Sequence, residues 1–259
     1  MKYQDQIGHT IRLAQPAKRI VSLVPSQTEY LHALGLEKEV VGITKFCIHP
    51  ENWFRSKNRV GGTKQADLEK IRTLKPDLII ANKEENQKED IEALQKEFNV
   101  WTSDIYNLED SFEMMKSIGE LVDRSIQADE IVDRIMSEKE QFIPFSGQKV
   151  LYFIWKNPYM ISGEHTYIHH LIKEIGLTDA SIHLEGKRYP MMTIDEIKRL
   201  SPDVLFCSSE PYPFKENDLK ELQALTGIKT ILVDGEYFSW YGSRLMYAFD
   251  YFETLKKSL

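Results

Sequence analysis

Cysteine is nearly absent from this 259-residue chain, which has only Cys47 and Cys207. Two thiols are too few for a disulfide framework, and neither has a partner at metal-site spacing, so both read as small hydrophobes near strand ends. Long apolar runs are missing too. The longest, such as VLYFIW at residues 150–155, fall far short of the roughly 20 residues that a membrane-spanning helix needs. Positive charge is also in deficit: 33 Lys and Arg against 40 Asp and Glu leave a formal charge of −7. Without a Lys/Arg-rich block there is no footprint for a phosphate backbone, which excludes nucleic acid as the expected partner. The opening MKYQDQIGHTIRLAQPAKRI lacks the apolar segment and cleavage site of a signal peptide. With Met1 as the native start, the chain is expected to stay in the cytoplasm.

Catalytic signatures are lacking as well. There is no G-x-S-x-G turn, residues 60–64 (VGGTK) do not have phosphate-loop spacing, and no glycine-rich fingerprint follows the first strand. His165, His169 and His170 sit close together, but without H-E-x-x-H or paired cysteines. His169 and His170 fall in the amphipathic YIHHLIKEIG and read as ordinary helix residues, whereas His49 and His165 fall in loops, where a ligand or its metal is within reach. No catalytic residue, no protein-held metal and no catalytic cofactor are expected.

What the chain does contain is a repeat. EKIRTLKPDLII (69–80) and DEIKRLSPDVLF (195–206) both read as a helix end, a Leu-x-Pro-Asp break and a buried strand, because proline blocks helix continuation and four apolar residues follow. RIVSLVPSQTEYLHALGL (19–36) pairs with residues 149–177, each running from strand through helix to a Gly-Leu stop at Gly35 and Gly176. FNVWTSD (98–104) pairs with IKTILVDG (228–235). Between the copies, SIQADEIVDRIMSEKEQFI (125–143) keeps helical period without Gly or Pro, with Ser125 as its expected N-cap and Pro144 and Gly147 as its stop.

The expected fold is therefore α/β. It has two similar lobes with mostly parallel sheets, residues 1–124 and 146–259, bridged by one long helix over 125–145. In such sheets ligands bind beyond the carboxyl ends of the strands. Those loops are rich in aromatics: Phe46 and Trp53, then Trp155 and Tyr159, Tyr212 and Phe214, and the run DGEYFSWYGSRL at 234–245. A ring in a loop is costly apolar surface unless something covers it, so a ligand cleft between the lobes is expected. After the first strand, Ser26 and Glu29 have the spacing of a capping box, and the helix that they open offers free N–H groups to an anionic or carbonyl ligand.

RIVSLVPSQTEYLHALGLEKEVVGIT (19–44) together with GGTKQADLEKIRTLKPDLIIA (61–81) resembles the opening of the helical-backbone substrate-binding proteins of ABC importers, which include receptors for cobalamin, haem and ferric siderophores. The likeness runs through nearly the whole chain. Residues 155–176, RYPMMTIDEI (188–197), SSEPYPF (208–214) and the aromatic loop at 234–245 are most similar to the vitamin B12-binding branch. Carried onto matching positions, the resemblance implies a ligand site made of Pro25, Ser26, Phe46, Trp53, Lys83, Trp155, Tyr159, Arg188, Tyr212, Trp240, Tyr241 and Arg244. Where relatives often place an aromatic just after the strand ending at Val100, this chain has Trp101 and then Thr102.

A corrinoid suits such residues, since its broad ring needs aromatic surface and its amide fringe and phosphate need donors. Trp240 and Tyr241 would supply surface and Arg244 a donor fork. Haem would use similar rings with a Tyr or His axial ligand, for which Tyr237, Tyr241, His49 and His165 are available. The resemblance further implies acidic tips that dock on importer membrane subunits, with Glu84, Glu85 and Glu89 in one lobe and Glu210 or Glu216 in the other. It implies a periplasmic or cell-surface monomer that is not an enzyme. The remaining alternatives are a cytoplasmic corrinoid-handling protein or enzyme reusing the fold, and an interaction protein whose cleft is filled by its own aromatics.

Overall fold

The computed structural model describes residues 2–184 and 186–259. These fall into two compact units, one comprising Met1–Met136 with Tyr241–Arg244, the other Ser137–Trp240 with Leu245–Leu259. Among the described residues, no helix is long and apolar enough to cross a membrane.

The first unit opens with an antiparallel ribbon of β1 (Lys2–Gln4) and β2 (Thr10–Arg12). Next come β3 (Ile20–Ser22), α1 (Pro25–Ala33), β4 (Val40–Ile43), α2 (Glu51–Ser56), β5 (Asn58–Arg59), α3 (Leu68–Leu74), β6 (Leu78–Asn82), α4 (Lys88–Gln95), β7 (Val100–Ser103) and α5 (Leu108–Leu121). The main sheet has the order β5, β4, β3, β6, β7, and all its pairs are parallel. Strand β6, LIIAN, is buried at every position, the continuous pattern of a parallel strand covered on both faces. Val21, Ile71, Ile79, Leu94 and Val100 form the core around it.

Helix α6 (Ser125–Gln141) realises the long helix read from residues 125–143. The division between the units falls inside it, after Met136, and not at 124 and 145. The second unit continues with β8 (Lys149–Trp155), β9 (Tyr159–Ile161), α7 (Tyr167–Glu174), β10 (Thr178–Asp179), a 3₁₀ turn over Ala180–His183, β11 (Met191–Met192), α8 (Ile194–Leu200), β12 (Val204–Ser208), α9 (Glu216–Thr226), β13 (Lys229–Val233), α10 (Gly235–Ser239) and α11 (Leu245–Lys256). Its sheet runs β11, β9, β8, β12, β13, with β10 on β8. The pairs among β8, β10, β12 and β13 are parallel, and the hairpin strands β9 and β11 are antiparallel.

The sequence repeat extends to individual hydrogen bonds. Lys75 and Ser201, the residues before the two Pro-Asp pairs, both take the left-handed conformation at φ 46° and so end α3 and α8. Each following aspartate then accepts from backbone N–H groups at the start of the neighbouring strand, just before β3 in one unit and at the first residue of β8 in the other. Asp77 takes the N–H groups of Lys18 and Arg19 at 2.9 Å, and Asp203 takes that of Lys149 at 2.7 Å. The basic side chain at the same place closes the preceding helix: Arg19 donates to the Leu74 carbonyl at 2.6 Å, and Lys149 to that of Leu200 at 2.5 Å. Leu-x-Pro-Asp is thus a joint that stops a helix, starts a strand and aligns its neighbour, used once per unit.

Candidate ligand-binding site

In the first unit the loops beyond the strand ends begin with the N-terminus of α1. Pro25 occupies the first helical turn and Val24 is the N-cap, without a side-chain capping bond. The capping box expected of Ser26 and Glu29 does not form, because proline at N1 starts the helix earlier and leaves Ser26 inside it. Ser26 is only 4% exposed. Glu29 instead accepts a two-pronged bond from Arg244, with Nε at 2.9 Å and Nη2 at 2.7 Å. Tyr241, also buried, donates its hydroxyl to Glu85 at 3.2 Å and lies beside Ser26 and Gln27. Burial, reinforced by the Glu85 carboxylate, pushes its phenol well above the ordinary range.

The loop after β4 presents Phe46, 51% exposed, with the Lys45 ammonium 5.1 Å from its ring centroid. Ile48 beside it is exposed. Trp53 takes a different place from the one implied by the resemblance: it is fully buried in α2, donates its indole N–H to Glu37 and meets His32 edge-on. After β6, Lys83 pairs with Asp104 at 2.5 Å. Strand β7 runs through Trp101 and Thr102, which places that ring in the core and not in the loop.

In the second unit, Trp155 at the end of β8 is 43% exposed and begins an aromatic ladder. Its ring lies 5.6 Å from Tyr212, which lies 4.8 Å from the buried Phe214. Tyr189 and Met191 are also exposed, and the Arg188 guanidinium sits 5.9 Å from the Tyr189 centroid. Tyr159 packs edge-on against Phe153 and belongs to the core's margin. Lys156, next to Trp155, is held by Asp218 at 2.8 Å and Glu221 at 2.7 Å.

The run DGEYFSWYGSRL divides its rings among four tasks. Phe238 is wholly buried among Tyr152, Phe206 and Phe252. Tyr237 stacks on Tyr251 at 4.6 Å and 15°. Trp240 is 7% exposed and donates its indole N–H to Glu210 at 2.8 Å, an oxygen that Ser239 also engages at 2.7 Å. Tyr241 and Arg244 belong to the first unit. The expectation that Trp240 and Tyr241 offer open ring surface and that Arg244 serves a ligand anion therefore meets two buried rings and a guanidinium already forked onto Glu29. Gly235 makes the packing possible, since a Cβ there would lie 2.3 Å from the Ser208 hydroxyl and 2.7 Å from Glu210 Cγ.

Glu210 was expected at an exposed docking tip; the structure turns it inward to Trp240 and Ser239. Burial raises its carboxyl above the usual range, opposed by the bond from Ser239, and Glu236 and Asp234 add to the rise. A carboxyl raised in this way stabilises the fold below its unfolded pKa, and that stability is lost as pH rises through the folded value. Glu210→Gln keeps an acceptor for Trp240 and removes the ionisation. It is expected to be at least as stable as wild type at pH 8, with a flatter dependence of the urea midpoint on pH above about 4.3. A variant that loses stability equally at all pH values would show that the charge plays no part.

His169, in α7, is buried and paired with Asp179 at 2.7 Å, which accounts for its place in the helix. Among the described residues no group of three or more His, Cys, Asp or Glu is arranged to hold a metal. Cys47 and Cys207 are free and buried, and burial pushes the Cys207 thiol up to about 12.

Both units are α/β with mostly parallel sheets, and each carries aromatic residues in the loops beyond its strand ends. The profile of the periplasmic binding protein family matches residues 20–231, and the chain belongs to that family. It is 28% identical over 215 residues to the uncharacterized ABC transporter substrate-binding lipoprotein YvrC of Bacillus subtilis, covering 78% of this chain and 67% of that protein. Over 202 residues it is 26% identical to the vitamin B12-binding protein of Vibrio cholerae, covering 74% and 71%. A shorter match, 32% over 111 residues, covers 42% of this chain and 40% of the vitamin B12-binding protein of Vibrio vulnificus. Among solved structures, the periplasmic vitamin B12 binding protein BtuF of Vibrio cholerae superposes with a TM-score of 0.79 at 20% identity, covering 94% of this chain and 98% of that one. The periplasmic heme-binding protein BhuT with two hemes gives 0.78 at 17% identity, covering 94% and 99%. At these identities the superpositions establish a shared fold.

Proposed function

We propose that this chain is the substrate-binding receptor of an ABC-type importer, that it performs no catalysis, and that its ligand is a corrinoid or a related metal chelate. The observation that carries the proposal is that each unit leaves a ring exposed beyond its strand ends, Phe46 in one and Trp155, packed on the half-buried Tyr212, in the other. Flat apolar rings with a few polar neighbours suit a broad macrocycle fringed with amides. Relatives named for vitamin B12 binding support the same reading. Pro25, Lys83 and Arg188 would add polar or backbone contacts, while Ser26, Trp53, Tyr159, Trp240, Tyr241 and Arg244 would act from within by holding the loops in shape. Glu89 and Glu216, both exposed, are the better candidates for docking on a membrane subunit, since Glu85 and Glu210 engage Tyr241 and Trp240.

The test is titration with cyanocobalamin, followed by tryptophan quenching and calorimetry. Saturable one-to-one binding is expected, weakened about tenfold by Trp155→Ala through loss of ring contact. Haemin or a ferric siderophore binding in its place would overturn the ligand and keep the receptor. If none of the three binds, the receptor reading goes with it.

A further inference from the structure

We infer that the ligand is an uncharged or cationic chelate, and that the strand-end loops are built to turn anionic chelates away. This rests on the proposed receptor function and assigns its charge class. Four groups that would ordinarily receive an anion are already engaged by partners within their own unit.

The first is the N-terminus of α1, nine residues long and without a side-chain cap. Its unbonded N–H groups and positive dipole end would make it a ready anion site. Tyr241 covers it, with its hydroxyl beside Ser26 and Gln27, and the Glu85 carboxylate stands at the same place. An anion arriving there would have to displace a buried ring and approach a like charge.

The second is Arg244, whose planar fork is the natural receptor for a carboxylate or phosphate. Glu29 already fills that fork in bidentate geometry, with side-chain exposures of 13% and 23%. The third is Lys156, beside the open ring of Trp155, which Asp218 and Glu221 hold between them. The fourth is Lys83, paired with Asp104. It is the most exposed of the four, so its pairing is the easiest to exchange.

Two further observations point the same way. Glu210 brings a carboxyl into the loops after β12, where Ser239 and the Trp240 indole donate to it and the acidic side chains of Glu236 and Asp234 lie near. Lys45 and Arg188 are laid over the rings of Phe46 and Tyr189. A cation above an aromatic face is a weak, solvent-screened attractor compared with a desolvated fork. An anionic chelate would thus lose its hydration without gaining a strong partner, whereas an uncharged ring with amide edges would lose little.

The experiment measures affinity of the full chain for probes of graded charge: cyanocobalamin (uncharged), ferrioxamine B (cationic), haemin (carrying two propionates) and ferric enterobactin (trianionic). Each is titrated at about 20 and about 500 mM NaCl, conditions that bracket weak and strong screening. The expected result is binding of an uncharged or cationic probe whose Kd changes by less than about twofold with salt, with both anionic probes at least about tenfold weaker. Asp104→Asn, which removes the carboxylate paired with the exposed Lys83, is expected to strengthen the anionic probes about threefold relative to cyanocobalamin. Tightest binding by an anionic probe, weakened by salt, would overturn the charge class while leaving the receptor intact. Unchanged anionic affinity in Asp104→Asn would overturn discrimination by internal pairing. Failure of every probe would instead remove the receptor function on which the inference stands.

Discussion

Glu29→Gln is expected to lower the unfolding free energy by about 3 kcal/mol, because it leaves the Arg244 guanidinium mostly buried without its carboxylate. The pair is two-pronged, joins residues 215 apart in sequence, and is only partly open to water. Those features separate it from surface pairs such as Arg55 with Glu51, whose side chains are three-quarters exposed and which contribute well under about 1 kcal/mol. The companion Arg244→Met removes the cation and keeps most of the stem's packing, so a smaller loss of about 2 kcal/mol is expected. Combining the two should recover stability relative to their sum, with a coupling of about 2 kcal/mol in a double-mutant cycle followed by urea denaturation. A coupling near zero would mean that the fork does not hold Tyr241–Arg244 on α1. It would also return Arg244 to the pool of groups able to greet a ligand anion.

Much of the fold was legible because its signals are local. Leu-x-Pro-Asp places a helix stop and a strand start within a few residues, and Gly35 and Gly176, at φ 75° and 85°, end α1 and the segment after α7 as their Gly-Leu pattern suggests. Residues 125–143 keep helical period throughout, so α6 could be read directly. The site was less legible because its decisive contacts are distant in sequence. Glu29 carries a capping-box spacing, and only the fold reveals that Arg244 takes its carboxylate. Trp53 sits in an aromatic loop pattern, yet Glu37 and His32 draw it into the core. Glu210 looks like a surface acid among prolines until Trp240 and Ser239 are seen to share its oxygen. Composition locates aromatic and charged residues near the strand ends; pairing decides which remain open.

Phe238→Ala should have the largest effect of all, about 4 kcal/mol, the range for removing a fully buried ring from a core that cannot collapse onto the gap. The ring lies 5.1 Å from Tyr152, 5.0 Å from Phe252, 6.0 Å from Phe206 and 6.3 Å from Tyr251, so its loss breaks four aromatic contacts together. Helix α10 has only five residues, too short to persist without tertiary anchoring. Phe238 is its wholly buried side chain. The variant should therefore loosen α10 and release Trp240 from Glu210, giving a red-shifted tryptophan emission before the global transition in urea. Phe238→Leu, which keeps much of the volume, is expected to cost about 1.5 kcal/mol and preserve the native emission. An alanine variant losing less than about 1.5 kcal/mol with unshifted emission would show that α10 is fixed by Glu210 and Ser239 alone. The rings of DGEYFSWYGSRL would then owe their arrangement to polar contacts and not to the core.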